Sequence, residues 1–196
     1  RIYGYLRKHK SGAIRVRTGQ PDYTQDEHVD YDWMRTVYGK VQELIPEDLP
    51  TPLGLPVITT TYEDANLYHD LVTGRAVTGI LHFVNGTPVE WFSKRQDTVE
   101  TATYGSEFAT EQIIDLRMTL RYLGVPLEGP AYMFGDNQSV ITSSTIPHSR
   151  LSKRHNALSY HRVREAIAAR ILRFKFIAGV ENPADILSKH CGYTQL

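Results

Sequence analysis

The hydrophobic period of this chain changes partway along, and few folds accommodate the change. Val57 to Ala65, Ala76 to Val84 and Pro88 to Ser93 read as three strands. Asn85-Gly86 separates the last two, and this dipeptide suits a tight hairpin because both residues tolerate positive φ. From about Thr103 to Leu123 the pattern becomes helical. Ala109, Ile113, Leu116, Leu120 and Leu123 recur at spacings of four and three as one apolar stripe, and Gly124 supplies the stop. Beyond it, Tyr132 to Phe134 predicts a fourth strand, Gln138 to Ser143 a short helix and Asn156 to Ala169 another helix. Ile171 to Ala178 predicts a fifth strand, and Pro183 to Lys189 a terminal helix with Pro near its start. The order βββ-α-β-α-α-β-α, a meander followed by α/β units, predicts an α/β (mixed α+β) domain with a five-stranded mixed sheet flanked by helices.

Residues 1–56 read as a separate, irregular segment, with residues 57–196 as the domain proper. Ile2 to Leu6 reads as the tail of a helix, Gly12 to Arg17 as a short strand, and an acidic loop follows. Pro46, Pro50, Pro52 and Pro56 then mark a linker. The chain starts with Arg1 and shows no signal peptide, so a piece of a longer protein is expected. No apolar run approaches the roughly 20 residues of a membrane helix, so no membrane partner is expected. The lone Cys191 excludes an intrachain disulfide framework and a multi-cysteine zinc site.

The formal net charge of +0 hides a strong segregation. Arg1 to Arg17 is basic and Asp22 to Asp48 mostly acidic. A second basic block carries Arg150, Lys153, Arg154, Arg162, Arg164, Arg170, Arg173 and Lys175. Basic clusters supply the salt-dependent phosphate attraction of nucleic-acid binders, and this one lies between two candidate site residues. Those candidates are carboxylates at element ends: Asp64 closing the first strand, Glu107 near the start of the long helix, Asp136 after the fourth strand and Asp185 past the fifth. Carboxylates gathered at neutral pH call for metal cations, the logic of two-metal phosphodiester cleavage.

The element order and the Asp-Glu-Asp-Asp series resemble the ribonuclease H domain of LTR retrotransposon polyproteins of the copia type. The matching stretches are Tyr62-Glu63-Asp64-Ala65, Ser93-Lys94-Arg95-Gln96, Ser106-Glu107-Phe108, Gly135-Asp136-Asn137, His148 to Arg164 and Asn182 to Lys189. The resemblance runs from about Val57 to the end, and residues 1–56 look like the family's connection from the reverse transcriptase thumb. It implies a ribonuclease H-like fold and an endoribonuclease that degrades the RNA strand of RNA–DNA hybrids during reverse transcription. The implied metal ligands are Asp64, Glu107, Asp136 and Asp185, holding two Mg²⁺ ions, with Mn²⁺ a possible substitute. In related enzymes a loop histidine assists proton transfer or product release. His155 fits that position best and His148 second, with His161 in the same basic block. Arg150, Lys153, Arg154 and Asn137 are the implied contacts to the hybrid, and the reverse transcriptase portion of the same polyprotein is the implied protein partner. An intracellular location follows, in cytoplasmic virus-like particles or the nucleus.

Two departures bear on activity. The family's Asp-Ala-Asp-Trp reads Asp64-Ala65-Asn66-Leu67 here, which leaves the ligand intact. The long helix matters more. Copia-type elements have about five more residues between the catalytic glutamate and the helix-ending Gly, a net swing of about 140° and a shift of about 7.5 Å. The apolar stripe gives a separate check: Glu107 projects about 160° from Ala109, on the far side of the stripe. Two rescues are open: Gly105-Ser106 could break the helix with Ser106 as N-cap, or the loop after Gly124 could absorb a rotated helix. Without a rescue, the chain is a degenerate ribonuclease H-like module that binds nucleic acid without cutting. An integrase-type strand-transfer enzyme shares the sheet and the acidic ligands, but the NPADILSK ending fits it less well.

Overall fold

The computed structural model describes residues 16–23, 29–66, 76–96, 102–150 and 157–189. Its sheet has the order β3-β2-β1-β4-β5. The strands are β1 Thr59–Asn66, β2 Val77–Val84, β3 Thr87–Arg95, β4 Ala131–Gly135 and β5 Leu172–Phe176. β1, β2 and β3 form an antiparallel meander, whereas β4 joins β1 in parallel and β5 joins β4 in parallel. The helices are α1 Ala102–Tyr122, α2 Gln138–Thr145, α3 Ala157–Ala168 and α4 Asp185–Ser188, the last preceded by a 3-10 turn at Gly179–Glu181. The mixed five-stranded architecture expected from the sequence forms, and the elements expected from Val57 onward lie close to their expected bounds.

Local chemistry explains the joints. Asn85 adopts φ 52° in the β2–β3 hairpin, and its Oδ1 accepts a hydrogen bond from the Ile58 N–H at 2.9 Å, which ties the turn to the start of β1. Gly124 ends α1 at φ 71°, with the Val125 N–H bonded back to the Leu120 carbonyl. The core lies between the sheet and α1 to α3, with Ile80, Ile113, Met133, Val163 and Leu172 essentially removed from solvent. Burying each such side chain contributes about 2 kcal/mol.

α1 corrects one expectation. Its buried residues are Ala102, Gly105, Ser106, Ala109, Thr110, Ile113 and Arg117. Leu123, expected to close the stripe, is exposed, and Leu116 and Leu120 are only partly buried. Arg117 turns inward because Glu43, from the N-terminal segment, accepts hydrogen bonds from it at 3.0 Å and from Arg121 at 2.7 Å. A period count along one helix cannot register a partner supplied from another part of the chain.

The described part of residues 16–56 contains no helix or strand, yet it packs on the domain. The Tyr23 ring lies 4.4 Å from that of Tyr132, Trp33 packs under the Arg164 guanidinium at 4.8 Å, and the Leu53 N–H donates to the Gly124 carbonyl at 2.8 Å. The helix tail expected at Ile2 to Leu6 lies outside the described residues. So does the strand expected at Gly12 to Arg17, except for Val16 and Arg17, which are irregular.

Candidate active site

The parallel pairing of β1 with β4 sets up the site. Its register matches Thr60 with Tyr132 and Tyr62 with Phe134. Carried two residues on, the same face presents Asp64 beside Asp136 at the carboxyl ends of the two strands. Asp64 is 5% exposed. Burial pushes its carboxyl above the usual range, the charges of Asp136 and Asp185 add to the rise, and a hydrogen bond from Ser188 opposes it. The turn at Gly179 closes against Asp136: a Cβ at Gly179 would lie 3.1 Å from Asp136 Oδ2.

Asp185 arrives on α4, which lies directly on the meander. A Cβ at Gly79, the β2 residue paired with Asp64, would meet the Ala184 carbonyl at 2.8 Å and Leu187 Cβ at 2.9 Å. The missing side chain at 79 is what lets α4 approach. The approach is reinforced by the Asn182 amide, which donates to the Glu63 carbonyl at 2.9 Å, and by the Ser93 hydroxyl, which donates to the Leu187 carbonyl. In this pose Ser188 Oγ donates to Asp64 Oδ2, and Lys189 Nζ pairs with Asp185 Oδ1.

Glu107 does not join them. α1 runs unbroken through Gly105 and Ser106, so the rescue by an N-cap at Ser106 does not occur. Glu107 instead faces α3, where its Oε2 accepts a hydrogen bond from Ser159 Oγ at 2.7 Å. The phase argument from the sequence explains the direction: Ala109 packs inward, and Glu107 lies about 160° around the helix from it.

A carboxylate that the motif reading passed over stands closer. Glu63 is 3% exposed and leaves β1 on the face covered by α1. Its Oε1 accepts from Ser106 Oγ at 2.8 Å, and its Oε2 has no hydrogen-bond partner. Burial pushes its carboxyl up to about 8. The Ser106 hydrogen bond acts against that rise, and the charges of Asp64 and Asp136 add to it. Gly135 and Gly105 make the room: a Cβ at Gly135 would sit 2.7 Å from Glu63 Oε1, and one at Gly105 would sit 3.3 Å from Oε2. The signal in the sequence is a long acidic side chain whose neighbour on the next strand is glycine.

Of the other candidates, Lys153, Arg154 and His155 lie outside the described residues. Arg150 and His148 are exposed. Asn137 caps α2, its Oδ1 accepting from the Val140 N–H at 3.3 Å and from Ser139 Oγ at 2.8 Å. His161 Nδ1 shares a 2.6 Å hydrogen bond with the Tyr38 hydroxyl of the N-terminal segment.

Hard oxygen donors are what Mg²⁺ takes, and three aspartates beside a buried, unpartnered Glu63 oxygen supply them. As posed, no three acidic, histidine or cysteine side chains among the described residues converge on one point. Ser188 and Lys189 hold Asp64 and Asp185. The donor chemistry suits a hard divalent cation, but this arrangement does not draw the carboxylates together around one, and Glu107 stands bonded to Ser159.

No family model matches the chain. Among curated proteins it is 31% identical over 141 residues to a retrovirus-related Pol polyprotein from a transposon of Nicotiana tabacum, a match covering 69% of this chain and 10% of that protein. A second transposon Pol polyprotein, from Arabidopsis thaliana, is 25% identical over 135 residues, covering 65% of this chain and 9% of its own length. The chain thus spans about a tenth of the curated relatives it matches. Among solved structures, the N-terminal RNase H domain of a Mycobacterium tuberculosis protein aligns with TM-score 0.53 at 12% identity, covering 67% of this chain and 91% of that one. An RNase H1 isolated from compost, solved in complex with an RNA/DNA hybrid, aligns with TM-score 0.52 at 16% identity, covering 66% and 92%.

Proposed function

This chain carries a ribonuclease H domain of the kind found in retrotransposon polyproteins, and from that premise we propose that it acts on the RNA strand of RNA–DNA hybrids made during reverse transcription. The supporting observation is the β1–β4 register, which sets Asp64 beside Asp136 with Asp185 within electrostatic reach. Asp64, Asp136 and Asp185 would hold Mg²⁺, with Mn²⁺ as a substitute. When bound, the metal supplies Lewis-acid stabilisation of phosphate charge and a more acidic water. The chain's own share is to carry the three carboxylates at two strand ends and on one helix, with the exposed Arg150 a proposed contact to the hybrid backbone. Lys153 and Arg154, in the same block, are proposed backbone contacts. Hybrid recognition would rest on phosphates and 2′-hydroxyls, with little dependence on base sequence. The reverse transcriptase portion of the polyprotein is the proposed partner, and the copia type the proposed subgroup.

A labelled hybrid with Mg²⁺ tests the reading. The intact chain should release RNA fragments, and Asp136→Asn should lower the rate by about a hundredfold or more; equal rates in the two would sink the assignment.

A second reading has its own support. The Glu107 carboxylate is bonded to Ser159 on α3, which favours a module that binds hybrids and cleaves poorly. Inserting about five residues after Phe108 rotates Glu107 by about 140°. A gain in cleavage on insertion supports this reading, and an unchanged rate counts against it.

A further inference from the structure

We infer that Arg164 is a positioning residue for hybrid binding, a role that rests on the hybrid-cleavage reading above. Its guanidinium, caged by Trp33 and Tyr38 of the N-terminal segment, sets the pose of the loop that carries His148 and Arg150. A segment outside the sheet thereby governs a nucleic-acid contact that it does not itself make.

The loop begins where α2 ends, and the last carbonyls of a helix have no partners within it. Arg164, 3% exposed on α3, supplies partners there. Nη1 donates to the Ser143 carbonyl at 2.6 Å and to the Ile146 carbonyl at 2.8 Å. Nη2 donates to the Pro147 carbonyl at 2.6 Å. One turn earlier on α3, the Tyr160 hydroxyl donates to the Ser149 carbonyl at 2.7 Å. Backbone from Ser143 to Ser149 is thus pinned from α3, while His148 and Arg150 stay exposed.

Ring faces hold the guanidinium in turn. Its Cζ lies 4.8 Å from the ring centroids of both Trp33 and Tyr160, and 5.7 Å from that of Tyr38. Trp33 and Tyr38 meet edge to face at 5.6 Å, and the Tyr38 hydroxyl is tied to α3 through His161 Nδ1 at 2.6 Å. A planar fork donates along its edges while its faces stack, which arginine provides and lysine does not. The rings fix the plane of the guanidinium, and the plane fixes which carbonyls its edges reach.

α2 joins this arrangement to the acidic site. It has eight residues, a length of about 12 Å, and its cap Asn137 directly follows Asp136. Pinning its far end therefore fixes Arg150 relative to the Asp136 strand end. A fixed offset is what lets one duplex meet a phosphate contact and the carboxylates together.

Hybrid affinity of the full 196-residue chain, read by fluorescence anisotropy across a salt series, tests this in an Asp136→Asn background that cleaves slowly. Arg150→Ala should weaken binding about tenfold and lower the salt slope by about one unit. Trp33→Ala and Arg164→Lys should each do the same, and adding Arg150→Ala to either should cost little more. Should Arg164→Lys fail to fold by circular dichroism, Trp33→Ala carries the comparison alone. A residue that merely packs would lower the urea midpoint, leave the salt slope as it was and keep the full effect of Arg150→Ala. That result overturns the inference, as does wild-type binding by Arg150→Ala, and in both the hybrid reading survives. No hybrid binding by the parent chain overturns the two together.

Discussion

Two glycines decide how closely the acidic residues gather, because each leaves a volume that another residue uses. At Gly79 a methyl would collide with the Ala184 carbonyl at 2.8 Å and with Leu187 Cβ at 2.9 Å, neither of which can swing aside. Gly79→Ala should therefore push α4 off the sheet and carry Asp185 away from Asp64. The expected result is a larger loss of Mg²⁺-dependent hybrid cleavage than of stability, read by comparing cleavage rate with the urea midpoint. At Gly135 the obstacle is Glu63 Oε1 at 2.7 Å, with Phe174 Cε2 at 3.1 Å. Overpacking of this kind costs about 1–3 kcal/mol, so Gly135→Ala should lower the urea midpoint by a corresponding amount. An unchanged midpoint would show that the Glu63 carboxylate moves freely.

At the scale of elements, α1 is clamped at its C-terminal half by an acid from outside the sheet. Burial alone would raise the Glu43 carboxyl, but hydrogen bonds from Arg121 and Arg117 outweigh it and hold the pKa at about 2. A carboxyl whose folded pKa lies below its unfolded value contributes stability above the unfolded value, near 4.5, and loses it as pH falls towards 2. Acid unfolding followed by circular dichroism should show that loss between about pH 4.5 and 2, and Glu43→Gln should remove it. Glu43→Gln should also cost about 3 kcal/mol at neutral pH, since it leaves the buried Arg117 without its counter-ion.

These elements also show what the sequence could and could not announce. The strand-like runs at β1 and β2, the Asn85-Gly86 turn, the helical stripe and the Gly124 stop are local signals, and they were enough for element order and sheet class. The outward turn of Glu107 was legible too, because helix phase is a matter of counting from Ala109. Burial of Arg117 was not, since its partner Glu43 stands 74 residues away. Nor was Glu63, whose niche depends on glycines from β4 and α1 meeting around it.

At the scale of the whole molecule, contacts among the described residues run across the proline-rich stretch before Val57. Trp33, Glu43 and Leu53 each engage the far side of that stretch. A chain that starts at Val57 should therefore melt lower than the 196-residue chain by about 5 °C or more, as read by differential scanning calorimetry. An unchanged melting temperature would mean these contacts add nothing net.

The unbroken course of α1 has a consequence for descent. Its inward face, from Ala102 to Arg117, satisfies the sheet and the clamp, while Glu107 sits on another face and bonds α3. Substitutions on the inward face are therefore constrained by packing and those at Glu107 by the α3 contact, so the two sides of one helix can change independently in descent.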